Sequence, residues 1–232
     1  ISEAEMQLLR AFFKVPDAQL LYLPFMVAPI TSEEQQAWKS FETRKHFVTI
    51  GNFRHEPNWL SVRYLKTEIW PLIRKQLPDA EMRVYGSYPA EKHTQLHNPK
   101  EHFYVLGRAE SAHEVIEEAR VLLAPLLTGA GLKGKLLDAM QCGTPAVTTS
   151  VGAEGMHGEL DFNGSVVDDP KAFAEAAIAL YKDKNKFAEA QANGAIIVNQ
   201  RFSKEEWNSV FKKRLSDLQD NLETHRLSNF TG

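Results

Sequence analysis

From His46 onward, short apolar runs alternate with stretches of helical periodicity. "FVTI" (47–50), "MRVYG" (82–86), "FYVLG" (103–107), "VLLAP" (121–125) and "AVTT" (146–149) recur, and most run into Gly, Pro, Ser or Asn. Strands alternating with helices imply an α/β fold, a Rossmann-like parallel sheet with helices on both faces. After "GSVVDDP" (164–170), residues 171–183 and 186–198 read as two consecutive helices. Helical flanks are expected on either side. At the start, Ser2 and Glu5 have capping-box spacing, and Met6, Leu9 and Phe13 share one helical face. "LLYLPF" (20–25), Pro29 and a polar helix over 32–44 follow. A last helix begins at Ser203, with Glu206 in the capping position. Trp207, Val210, Phe211, Leu215, Leu218 and Leu222 form its apolar stripe, which must pack on the sheet's flank or on a partner domain.

In parallel sheets of this kind, ligands lie beyond the carboxyl ends of the strands. The loops starting at Gly51, Gly86, Gly107, Pro125 and Ser150 should therefore share one rim. Those after Gly51 and Pro125 contain most of its cations.

Composition narrows the choice of ligand. The chain has 232 residues, 43% of them hydrophobic, enough to bury a full core. A net charge of −3 gives no support to a nucleic-acid partner. The single cysteine, Cys142, excludes an internal disulfide and a cysteine-only metal site; it reads as a small buried residue. No apolar run approaches the roughly 18 residues of a membrane span. Residue 1 is Ile and no signal-peptide pattern precedes the fold, so a fragment or processed form is expected.

The stretch "VLLAPLLTGAGLKGKLLDAM" (121–140) carries the strongest chemical signal. Gly129, Gly131 and Gly134 satisfy the dinucleotide fingerprint G-x-G-x-x-G, and Gly129, Gly134 and Lys135 satisfy most of the phosphate loop G-x-x-x-x-G-K-[ST]. The second pattern fails at its last position, where Leu136 cannot ligate Mg²⁺. The first would need an acid at the end of the next strand, whereas Glu154 falls between Gly152 and Gly155, in a loop. A nicotinamide-dependent oxidoreductase is the alternative left by that pattern. Three glycines, two lysines and a helix N-terminus within seven residues favour anion binding over a merely structural turn. His93, His97 and His102 lack the carboxylate or cysteine that would complete a metal set, and read as solvated surface residues.

Taken together, "FVTIGNFRHEPN" (47–58), "LPDAEMRVYG" (77–86), "FYVLGRAES" (103–111), residues 121–156, "NGSVVDDPKAFAEAAIALYKD" (163–183) and "QRFSKEEW" (200–207) resemble the C-terminal, donor-binding domain of GT-B glycosyltransferases of the retaining family-4 (group 1) type. The resemblance divides the chain into three parts. Residues 1–45 would be the remnant of a preceding N-terminal acceptor domain and linker, 46–200 the nucleotide-sugar-binding domain, and 201–232 a closing helix and tail. It implies transfer of a sugar from a nucleoside diphosphate to a carbohydrate or lipid-linked acceptor, with no cofactor and no metal. That expectation agrees with the absence of any Asp-x-Asp. The usual setting is polysaccharide or glycolipid assembly in the cytoplasm, including the inner face of the membrane. The missing acceptor domain would be needed for full activity.

Residue by residue, the resemblance gives Arg54 and Lys135 the catalytic, charge-stabilising role. Gly51, Gly129, Gly131, Leu132, Lys133 and Gly134 would bind the diphosphate. Asp138, where the family normally has Glu, would accept hydrogen bonds from the ribose. Gly107 and Arg108 would lie by the base, and Thr128 and Glu154 near the donor sugar. Two departures stand out. Ala130 replaces the first of the family's paired glutamates, and no lysine follows Arg54 before Lys66, so the second cation must come from 129–135. The altered pair leaves room for a non-catalytic nucleotide-binding or interaction module of the same fold.

Overall fold

The computed structural model describes residues 2–220 and residue 222. Six strands form one sheet: β1 (His46–Asn52), β2 (Met82–Ser87), β3 (Phe103–Gly107), β4 (Ala119–Ala124), β5 (Ala146–Thr148) and β6 (Gly164–Val166). Their order is β3-β2-β1-β4-β5-β6, and every pairing is parallel. The five expected runs are all strands. The sixth was not expected: β6 is a three-residue edge strand with no fully buried position, too short to leave a hydrophobic pattern.

The helices are α1 (Glu3–Ala11), α2 (Ser32–Ala37), α3 (Glu56–Tyr64), α4 (Trp70–Gln76), α5 (Glu91–Thr94), α6 (Ala112–Glu118), α7 (Gly134–Gln141), α8 (Ser150–Ala153), α9 (Pro170–Lys182), α10 (Lys184–Arg201) and α11 (Lys204–Asp220). A π-helical segment, Leu65–Ile69, joins α3 to α4. Pro71 explains it: proline removes one backbone donor and crowds the carbonyl four residues earlier, and a widened turn relieves both.

Strand periodicity divides the core in two. Phe47, Met82, Val84, Val121, Leu123 and Val147 face a cluster completed by Val62, Leu65, Trp70, Phe173 and Ala177, from the α3–α4 run and α9. Their alternates Val48, Leu122, Ala124 and Ala146 face Ile116, Leu136, Met140, Ile197 and Val198, from α6, α7 and α10. Both faces of the sheet are therefore covered, as an all-parallel sheet requires.

The flanks depart from the expected pattern in three ways. The polar helix predicted over 32–44 stops at Ala37, because Trp38 turns out of the helix (φ −58°, ψ 142°) and its indole donates to the Gln141 carbonyl at 3.0 Å. Met6 is buried, but α1 ends at Ala11 and Phe13 is exposed. On α11, Val210, Phe211, Leu215 and Leu218 are exposed, and Trp207 makes the firm contact, edge-on to Tyr22 at 5.2 Å. Residues 221 and 223–232 of the expected tail lie outside the described residues.

The histidines also differ from expectation. His93 is buried, stacked on Phe53 and edge-on to Trp59, and its Nδ1 accepts from the Ala90 amide at 2.7 Å. The helix carrying it ends at Thr94, so His97 does not share its face. No cluster of three or more His, Cys, Asp or Glu side chains among the described residues could hold a metal ion.

Below the amino edge of the sheet, Arg44 is fully buried with no carboxylate hydrogen-bonded to it. Its guanidinium donates to the carbonyls of Lys39, Ala119 and Cys142 and to the Thr144 hydroxyl at 2.6–3.2 Å. Burial lowers its pKa to about 10. Cys142 ends α7, and Gly143 (φ +58°) and Thr144 close that end by donating to Met140 and Ala139, a Schellman motif. Removing the guanidinium strands those acceptors, each at a cost of about 1–3 kcal/mol. Arg44→Ala is therefore expected to lower unfolding free energy by about 3 kcal/mol or more, measured by urea denaturation.

Candidate functional site

The sheet order reverses its winding between β1 and β4, and doubly wound sheets hold ligands in the crevice above such a point. A cavity of about 490 Å³ lies there. Gly51, Asn52, His55, Pro57 and Asn58, from the β1–α3 connection, line one side; Leu126, Thr128, Gly129, Ala130, Leu132, Lys133, Gly134, Lys135 and Asp138 line the other.

The second wall is built by the glycines. Gly129 (φ +131°) and Gly131 (φ +72°) hold conformations that L side chains rarely adopt, and they fold the loop so that α7 starts at the cavity. Ser111, Thr149, Asp169 and Asp183 cap α6, α8, α9 and α10 with their side chains. Lys133, at the start of α7, supplies no side-chain cap. The first bonds of the helix come from the Leu136 and Leu137 amides to Lys133 O, which leaves the Gly134 and Lys135 amides without an acceptor inside the helix. An uncapped N-terminus beside a cavity is an anion site in waiting.

Two ammonium groups border it. Lys135 is half-buried, and burial together with the Lys133 charge lowers its pKa to about 8. Its Nζ donates to Asn58 Oδ1 at 2.8 Å. Lys133 turns back onto the Gly131 carbonyl; burial lowers its pKa, opposed by Glu154 and Glu5. One turn beyond Lys135, Asp138 faces the same cavity. Burial raises its pKa, and His113, 3.4 Å away, opposes the shift. The arrangement combines amide dipoles, one poised cation and a carboxylate able to accept hydroxyl hydrogen bonds.

Of the residues singled out from sequence, Gly51, Thr128, Gly129, Gly131, Leu132, Lys133, Gly134, Lys135 and Asp138 are brought together in one loop-and-helix wall or directly opposite it. Eight of them line the cavity, with Gly131 inside the same loop. Arg54 is not among them: it is exposed, with its guanidinium 3.8 Å from the centre of the Tyr88 ring. Gly107 (φ +73°) and exposed Arg108 sit at the carboxyl end of β3, outside the cavity lining. Glu154 is exposed at the end of α8 and borders a separate depression with Ser150 and Gly155. It does not end a strand, since β5 stops at Thr148, so the acid of the dinucleotide fingerprint is absent from its place. Sequence reasoning missed Asn58. Its only signal was a polar residue in the first turn of α3, after a loop in which a second cation, a lysine, was expected and not found.

Comparison with known proteins concerns the family and the fold. The family described as "Glycosyl transferases group 1" matches residues 44–183. A Klebsiella pneumoniae protein, "Uncharacterized 44.6 kDa protein in cps region", is 25% identical over 175 residues, covering 71% of this chain and 44% of that protein. Among solved structures, an S. aureus TarM mutant in complex with Fondaparinux, alpha-GlcNAc-glycerol and UDP superposes with a TM-score of 0.70 at 15% identity, covering 92% of this chain and 42% of that one. The pneumococcal O-GlcNAc transferase GtfA, in complex with UDP and GlcNAc, gives 0.69 at 18% identity, covering 94% and 44%. WaaG, "a glycosyltransferase involved in lipopolysaccharide biosynthesis", gives 0.68 at 14%, covering 90% and 60%. The chain thus spans less than half the length of the curated relative and of the TarM and GtfA chains. No helix among the described residues is long and apolar enough to cross a membrane. The matched region runs from Arg44 through all six strands to the end of α9, and on that ground the chain belongs to the group 1 glycosyl transferases.

Proposed function

We propose that this chain is the donor-binding part of a retaining glycosyltransferase, holding the diphosphate of a nucleoside-diphosphate sugar above the β1–β4 switch point. The observation that carries the reading is the uncapped start of α7 beside Lys135, in the one place where such sheets bind ligands. UDP is the first probe, because it is bound in the TarM and GtfA structures.

The chemistry follows from the arrangement. As the bond from the anomeric carbon to the diphosphate breaks, negative charge grows on the leaving oxygens. Fixed amides and a nearby ammonium stabilise that charge more than they stabilise the intact donor, which lowers the barrier. The reading is of a metal-independent transfer, with Lys135 and the Gly134 and Lys135 amides meeting the charge. Asp138 would orient the ribose. Thr128, on the opposite rim from Asn58, would meet the donor sugar. The acceptor, carbohydrate or lipid-linked, would be held by an N-terminal domain outside this chain.

A non-catalytic nucleotide-binding module is the second reading, favoured by Ala130 in the cavity wall and by Arg54 stacked outside it. The two readings part on transfer, not on binding. Calorimetric titration with UDP, GDP, ADP and NADH should give binding of one nucleoside diphosphate and none of NADH. Lys135→Ala is expected to weaken it about tenfold or more, the worth of one charge-assisted contact, and Asp138→Ala several-fold. No binding by the unsubstituted chain, or binding indifferent to both substitutions, would contradict the reading.

The lowered Lys135 pKa fixes a pH dependence. Between about pH 7 and 8 Lys135 is already mostly charged in the free site, and this group leaves affinity nearly constant. Above pH 8 binding must take up a proton, so affinity should fall by up to tenfold per unit, with proton uptake visible as a buffer-dependent heat. The folded pKa lies below the unfolded one, so the unfolded chain binds more protons between about 8 and 10.5 and this group makes stability rise with pH there. Lys135→Met should therefore lose ligand while leaving the fold at least as stable at pH 7, as measured by denaturant midpoint.

A further inference from the structure

Asn58 stands where the site's two walls meet. Its Oδ1 accepts from Lys135 Nζ at 2.8 Å, and its Nδ2 donates to the Asn52 carbonyl at 3.0 Å. Asn52 in turn accepts the Arg54 amide on its own Oδ1 at 2.9 Å, which pins the loop after β1. The amide's orientation is determined by its two partners: turned over, it would set NH₂ against an ammonium and oxygen against a carbonyl. Gly51 makes room for it. A Cβ there would fall 2.8 Å from Asn58 Cγ, so any side chain at 51 would drive the amide away from Lys135.

From this geometry we infer that Asn58 is the positioning residue of the site, holding the Lys135 ammonium in place without cancelling its charge. The inference rests on the proposed diphosphate role of Lys135. Its physical content is the choice of a neutral acceptor. A carboxylate at 58 would fix the ammonium equally well, but it would neutralise the cation and repel an incoming diphosphate. A hydrocarbon would leave the charge undiminished but unanchored, and would favour the uncharged amine in this half-buried place. An amide avoids both faults. Its effect passes through Lys135 and does not require that Asn58 touch the ligand.

Two near-isosteric substitutions, Asn58→Asp and Asn58→Leu, test this with and without ligand. In the ligand-free chain, NMR of lysines labelled at Cε follows the Lys135 titration directly, with Lys135→Met identifying its signal. Asn58→Asp should raise the midpoint by about one unit or more, and Asn58→Leu should lower it. In UDP titrations at pH 7, Asn58→Asp should weaken binding about tenfold or more, a loss that persists as the pH falls to 6. Asn58→Leu should weaken it at pH 7 and recover toward pH 6, as the amine is protonated again. A purely structural role for Asn58 would shift the denaturant midpoint without this opposite-signed pair of titration shifts. A Lys135 titration unchanged in both variants, or UDP binding sensitive to Lys135→Ala but indifferent to both Asn58 substitutions, overturns the inference. Absence of UDP binding in the unsubstituted chain, with the titration shifts present, instead counts against the nucleotide reading on which it rests.

Discussion

A parallel sheet covered on both faces must carry each connection over a helix, and where the winding changes direction two neighbouring strands send their connections apart. Between β1 and β4 that divergence leaves the carboxyl edge open, and the rest of the site depends on the opening. The β1–α3 loop leaves toward one face and the β4–α7 loop toward the other. The cavity between them is a consequence of topology before any side chain is considered.

Into this opening the fold directs a helix that is finished at one end only. At its carboxyl end α7 is closed by Gly143, Thr144 and the buried Arg44 guanidinium, so its carbonyls and dipole are met internally. At its amino end no side chain caps it, and the adjoining glycines bring its first amides to the cavity. Burial of Lys135 adds a cation whose hydrogen-bond acceptor is a neutral amide. Unmet donors and an un-neutralised charge are costs to the free fold, and a bound anion would relieve both. Lys133 also borders the cavity, but its ammonium is folded onto the Gly131 carbonyl, whereas Lys135 reaches across to Asn58 on the opposite wall.

Much of this was legible in the sequence. Runs such as "FVTI" and "VLLAP" are continuous because both faces of their strands are buried, and the glycine–lysine loop announced itself by composition. β6 was not legible, because three residues at a sheet edge with no buried position leave no pattern. Trp38 ended α2 early for the sake of a tertiary contact with Gln141 and Gly143, which no local rule contains. His93 looked solvated because the ring of Phe53 that covers it comes from forty residues away. Arg54 lay in the right loop, but a tight turn through Asn52 sends it to Tyr88. The role of Asn58 depends on a side chain 77 positions away, and spacing within one loop could not reveal it.

The most direct test of the account is a crystal structure of the chain soaked with UDP. The account predicts the diphosphate above the β1–β4 edge, with oxygens within hydrogen-bond distance of the Gly134 and Lys135 amides and of Lys135 Nζ, and the ribose by Asp138. A nucleotide seated elsewhere on the sheet, or one whose phosphates avoid the start of α7, would contradict it.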